Sequence, residues 1–191
     1  SSSVLHTPNN CTFCYHRKAW FKRNGTLYLL KGGSPFYQQE PVNEWLASRI
    51  AQELGLYAVP YTTETYENNI VSVCPNMCKG KLDLVTSEYV LSDTGAPEDV
   101  FQYSHYVKTL EEHGVPNVRK ALSDQFLMDY LLMNTDRHTQ NMGILVDANT
   151  NQWVGMAPVF DTGTGLGCLV EDDEILNENH EKKCQLFNAK N

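Results

Sequence analysis

The chain has no apolar run approaching the ~18 residues that a membrane-spanning helix needs. One of its more apolar stretches, FLMDYLLM, is short and interrupted by Asp129. Positive charge is also scarce. Lys and Arg total 15 against 23 Asp and Glu, a net charge of −8, which excludes a general nucleic-acid-binding surface. There is no internal repeat and no low-complexity segment. The opening SSSVLHTPNN lacks the basic and apolar parts of a secretory leader and reads as a ragged end. These absences lead us to expect a cytoplasmic protein without membrane or direct nucleic-acid contacts. The six cysteines are too sparse for a disulfide-stapled scaffold. Cys11, Cys14, Cys74 and Cys78, with His16 as a spare ligand, form a loose zinc pattern, and ordinary reduced thiols are the simpler reading.

A length of 191 residues is enough to bury a real core in one domain or two small lobes. In RNGTLYLLKGG, a turn at Asn24–Gly25 leads into a short strand ending at Lys31. EPVNEWLASRIAQELG predicts a helix, with Pro41 in its first turn, Gly55 at its stop and an apolar stripe of Val42, Leu46, Ile50 and Leu54. YAVPYTTETYENNIVSVC predicts two strands around a turn at Asn68–Asn69. SDTGAPED, after the apolar LVTSEYVL, is the expected inter-lobe linker. Two helical patterns follow, one ending at Gly114. The other carries Val118, Leu122, Phe126, Leu127, Tyr130 and Leu131 on its apolar face. Strands first and helices later predict an α+β molecule of two lobes, residues 1–91 and 92–191.

The stretch NTDRHTQNMGILVD crowds Asp136, Arg137, His138 and Asn141 between two apolar segments. MGILVD and WVGMAPVF predict an antiparallel hairpin, whose register would set Asn141 beside Asp161, with Asp136 on the adjoining loop. Two carboxylates and an amide oxygen suit a hard cation such as Mg²⁺. Taken singly, each residue has a plainer reading. Asp136 could pair with Arg137 on the surface, Asn141 could be a turn residue and His138 a structural histidine. Lys31 could be a solvated strand-end lysine and Glu44 a solvent-facing helix charge. GTGLG, Gly163 to Gly167, has an aspartate before it and no helix start after it, so it reads as a loop and not a dinucleotide motif.

DRHTQN followed by a hairpin and FDTG resembles the catalytic segment of the HipA-like serine/threonine kinases and of the phosphoinositide-kinase-like enzymes. EPVNEWLASRIAQELGLYAVPYT is similar to the helix and strand of the HipA family's smaller lobe. The resemblance runs from Lys31 to Gly163. It implies a bilobal protein-kinase-like fold, with a small β-rich N-lobe bearing one helix and a mainly helical C-lobe bearing the catalytic hairpin. It further implies ATP and Mg²⁺ as cofactors. Lys31 would contact the α- and β-phosphates, held by Glu44, and Asn141 and Asp161 would bind the metal. Asp136 would orient or deprotonate the acceptor hydroxyl, and His138 would act as a base or phosphate contact. The backbone of Glu88, Tyr89 and Val90 would read the adenine edge as a hinge.

The implied acceptor is a protein Ser or Thr, with an antitoxin-like protein as a possible partner. A phosphoinositide-type lipid kinase and a nucleotide-binding pseudokinase or interaction module are the alternatives. Two departures stand out. Only residues 162–191 follow Asp161, and they are polar where the family carries a substantial helical region, which would fit a truncated second lobe, a minimal family member or one without its acceptor-binding part. No glycine-rich phosphate loop precedes Lys31; KGGSPF follows it, and its glycine N–H groups could approach the phosphates instead.

Overall fold

A computed structural model describes residues 18–34, 38–96 and 102–168. Strands β1 (Lys18–Arg23) and β2 (Thr26–Gly32) pair across Arg23 and Thr26. Asn24 and Gly25 between them both adopt left-handed φ values, 51° and 80°. That is the two-residue turn whose twist suits a hairpin, and Asn-Gly tolerates it. Strands β3 (Thr62–Tyr66) and β4 (Asn69–Pro75) repeat the device at Glu67 and Asn68, with φ of 47° and 63°. The turn therefore lies one residue before the expected Asn68–Asn69. Together these strands form an antiparallel sheet in the order β1-β2-β4-β3.

Helix α1 (Glu40–Glu53) crosses this sheet, with Pro41 in its first turn and Gly55 at φ 66° just beyond its end. Its rotation is not the one the apolar stripe predicted. Val42 and Leu46 are 37% exposed and Leu54 50%, whereas Asn43, Glu44, Ala47 and Ala51 are buried. Small alanines let the helix approach closely, and the polar pair finds partners inside, described below.

The second sheet has the order β5-β6-β7, formed by β5 (Leu82–Thr86), β6 (Gly143–Asp147) and β7 (Trp153–Met156). Helix α2 (Ser87–Asp93) is capped by the Thr86 hydroxyl, which accepts from the Tyr89 N–H. It packs with α3 (Gln102–Glu112) and α4 (Val118–Leu131) over one core that includes Leu91, Tyr106, Leu110, Leu122 and Ile144. Residues 82–91, expected in the first domain, thus belong to the second sheet and its core. The chain first passes between the sheets at 76–81, not at the SDTGAPED segment, part of which (97–99) lies outside the described residues.

A smaller cluster of Ala47, Ala51, Met128, Leu132 and Val159 joins α1 to α4. On α4, Val118 and Leu122 face inward as expected, together with Gln125, Met128 and Asp129. Leu127, Tyr130 and Leu131 face outward, contrary to expectation, at 44%, 73% and 43% exposure. Asp129 sets this rotation because its carboxylate is buried against Arg137. Among the described residues, no helix is long and apolar enough to cross a membrane.

The helix phase is directly testable. Leu122→Ala should cost about 2–5 kcal/mol by leaving a core cavity, while Leu131→Ala should change stability by only about 0.5 kcal/mol. Denaturant unfolding of the two variants measures both. The reverse ranking would contradict the observed rotation.

Candidate active site

Lys31 lies near the end of β2, opposite Ser72 of β4, and its side chain is buried. Its Nζ donates to Glu44 Oε1 of α1 and, at 2.6 Å, to Asp161 Oδ1. The other Glu44 oxygen accepts from the Ser72 hydroxyl, and the Tyr61 ring lies 5.8 Å from the ammonium. A strand end, a helix and a segment far along the chain therefore meet at one cation. Burial alone would favour neutral lysine, but the Asp161 and Glu44 carboxylates overcome it and raise the Lys31 pKa well above its ordinary value. Burial opposes Asp161 ionisation too, and Lys31, aided by Lys18, more than reverses this and lowers its pKa. Glu44 shifts the other way. Its burial, with Asp161 nearby, outweighs the pull of Lys31.

Asp161 itself adopts φ 55°, a left-handed conformation uncommon for a residue with a Cβ. Asn43 of α1 helps hold the loop that follows. Its Nδ2 donates to Gly163 O at 3.0 Å and Gly165 O at 2.9 Å. A Cβ on Gly165 would come within 2.9 Å of the Leu132 carbonyl oxygen, so the close passage of this loop requires glycine there. Lys31, Gly32, Glu40, Glu44, Asp161 and Gly163 line a small cleft at this point.

The residues of the loop after α4 are held from the other side. Asn134 is fully buried; its Nδ2 donates to Asp129, and its Oδ1 accepts from the Asp136 N–H and the Thr164 hydroxyl. Asn141 Nδ2 donates to Asp136 O at 3.1 Å, which turns the amide oxygen away from that carbonyl. The Asp136 side chain is 42% exposed, with its Oδ1 3.9 Å from His138 Nε2. His138 Nδ1 accepts from the Gln140 N–H at 3.3 Å, so a neutral imidazole carries its proton on Nε2.

The backbone at Asn141 and that of the residue before Asp161 are linked by a different route from the hairpin register expected. The hairpin exists, but β7 stops at Met156, and after one more bond, Ala157 N–H to Gly143 O, the chain leaves the sheet. Val159 pairs instead with the segment after α1, through Val59 N–H to Val159 O and Val159 N–H to Tyr57 O. The link is Arg137, whose Nη1 donates to the carbonyls of both Asn141 and Phe160. Arg137 is therefore a buried partner of Asp129, not a surface partner of Asp136.

The expected hinge is not in place. Glu88, Tyr89 and Val90 lie in helix α2, and their backbone groups are engaged: Glu88 N–H donates to Thr139 O, and Val90 O accepts from Thr94. Asn43, Ser72, Asp129 and Asn134 were not anticipated. The one available signal was Asp129, a charge inside an apolar run. Of the loose zinc pattern, Cys11, Cys14 and His16 fall outside the described residues. Cys74 is buried beside Val59 and Tyr61, and that burial pushes its thiol up to about 12.

One buried ammonium is thus held by two carboxylates that reach it from separate elements. The HipA-like C-terminal domain family matches residues 13–182, and the chain belongs to that family. Among characterised proteins it is similar to the serine/threonine-protein kinase CtkA of Helicobacter pylori. The two are 27% identical over 157 residues, covering 76% of this chain and 47% of CtkA. The crystal structure of the H. pylori proinflammatory kinase CtkA superposes with a TM-score of 0.69 at 27% identity, covering 85% of this chain and 61% of that one. HipA of Shewanella oneidensis, solved with HipB and operator DNA, shares the fold at TM-score 0.58 and 16% identity, covering 79% of this chain and 43% of HipA. The chain spans about half the length of the relatives it matches.

The depressed Asp161 pKa predicts a pH dependence. Its stabilisation is complete above the unfolded carboxylate value, about pH 4, and is lost as pH falls through the lower folded value. Asn also tolerates left-handed φ. The stability gap between wild type and Asp161→Asn should therefore hold from about pH 7 to pH 5 and shrink below about pH 4. Denaturant titrations across pH measure it, and a gap that widens on acidification contradicts the assignment.

Proposed function

We propose that the chain forms the nucleotide-binding and phosphoryl-transfer part of a HipA-like serine/threonine kinase, acting on Mg·ATP and a protein hydroxyl. The observation that carries this reading is the convergence of Lys31, Glu44 and Asp161 from three separate elements. Loose phosphoryl-transfer transition states call mainly for positioning and charge neutralisation, and these residues can supply both. Lys31 is the cation for the α- and β-phosphates, and Glu44, oriented by Ser72, keeps it in place.

The donor set suits magnesium. Among the described residues, no group of three or more His, Cys, Asp or Glu could hold a metal alone. Mg²⁺ commonly takes one or two protein carboxylates and completes its shell with phosphate oxygens and water. Asp161, held ionised, and the Asn141 amide oxygen would hold it. When bound, the ion neutralises charge on the phosphates. Asp136, partly exposed on the loop, orients the acceptor hydroxyl and receives its proton, while His138 beside it serves as an alternative base or phosphate contact.

The likeness to CtkA favours a protein acceptor over a lipid. An antitoxin-like partner and a cytoplasmic setting belong to the same reading.

Transfer of labelled γ-phosphate from Mg·ATP to the chain itself and to a generic acceptor protein tests the proposal. Asp136→Asn should lower transfer by roughly 10²–10⁴-fold while leaving nucleotide binding nearly intact. Nucleotide binding without transfer in the wild type would leave only a nucleotide-binding module.

A further inference from the structure

The Asp129–Arg137 pair has an arrangement that stability does not explain. Both side chains are fully buried. Arg137 Nε donates to the Asp129 carboxylate, at 2.9 Å to Oδ2, and Nη2 donates to Oδ1 at 2.9 Å. Replacing such a pair by apolar groups of similar volume is often neutral for folding, so its presence needs another reason. The far end of the guanidinium supplies one. Nη1 donates to Asn141 O and, at 2.9 Å, to Phe160 O. One carbonyl belongs to Asn141 itself and the other to the residue immediately before Asp161. These two residues leave the hairpin region by separate routes, and Arg137 bonds to the backbone of both.

We infer that Arg137, anchored on Asp129, is a positioning residue that sets the spacing between Asn141 and Asp161. The inference rests on the reading of those two residues as the metal-binding pair. A guanidinium is planar and rigid, so fixing one edge on a carboxylate fixes where its other nitrogen points. Asn134 strengthens the anchor by donating to Asp129 Oδ1 at 2.8 Å while accepting from Asp136 N–H, which ties the same pair to the catalytic loop. A lysine could keep the ion pair with Asp129, but its compact ammonium cannot also span to both carbonyls.

Calorimetric titration of ATP at a series of Mg²⁺ concentrations tests this on wild type, Arg137→Lys and the double variant Asp129→Leu/Arg137→Met. Unfolding midpoints are taken on the same samples. The double variant removes both charges together, and so gives an answer if Arg137→Lys fails to fold. The Mg²⁺ requirement should rise roughly 10–100-fold, as when an outer-shell partner of a metal site is lost. Affinity for metal-free ATP should stay close to that of wild type. Folded variants with an unchanged Mg²⁺ requirement, or with both affinities falling together, overturn the positioning role and leave the kinase reading standing. A wild type that binds ATP without regard to Mg²⁺ overturns both.

Discussion

Everything near the site depends on one buried cation. An ammonium removed from water is costly unless charge comes to meet it, and Lys31 is met by two carboxylates from different parts of the chain. That requirement draws α1 against the first sheet and brings the segment after β7 back across the molecule. Asp161 is flanked accordingly: Val159 packs in the cluster between α1 and α4, and Phe160 packs against the core of the first sheet. The cation at the centre of the proposed chemistry also ties the segment after β7 to β2 and α1.

A second buried charge pair does for α4 what Lys31 does for α1. Glu44 and Asn43 must face inward to reach their partners, so Val42, Leu46 and Leu54 turn partly toward solvent. Asp129 must reach Arg137, so Tyr130 and Leu131 turn outward. In both helices, polar groups with specific partners outrank apolar residues of greater hydrophobicity. A buried charge left without its partner costs more than a half-exposed leucine.

That hierarchy explains what the sequence disclosed. Elements governed by local chemistry were legible: the Asn24–Gly25 turn, the limits of α1 between Pro41 and Gly55, and the hairpin of β6 and β7. The contact of Lys31 with Glu44 was legible as well, since the family resemblance implied it. Helix rotation was not, because it is set by partners outside each helix: Asn43 reaches Gly163, 120 residues on, and Asp129 reaches Arg137 in the loop that follows α4. The contact between Lys31 and Asp161 spans 130 residues. SEYVL, expected as a hinge, reads equally well as strand or helix; the Thr86 cap and the Val90 and Leu91 packing decide for helix.

The central claim is that Asn141 and Asp161 form the metal end of a nucleotide site whose phosphate end is Lys31. The most direct measurement replaces Mg²⁺ by paramagnetic Mn²⁺ in the presence of ATP and records amide signal broadening by NMR. The account predicts broadening centred on residues around Lys31, Asn141 and Asp161, and its disappearance when ATP is omitted or EDTA is added. Broadening centred elsewhere, or none at saturating nucleotide, would contradict it.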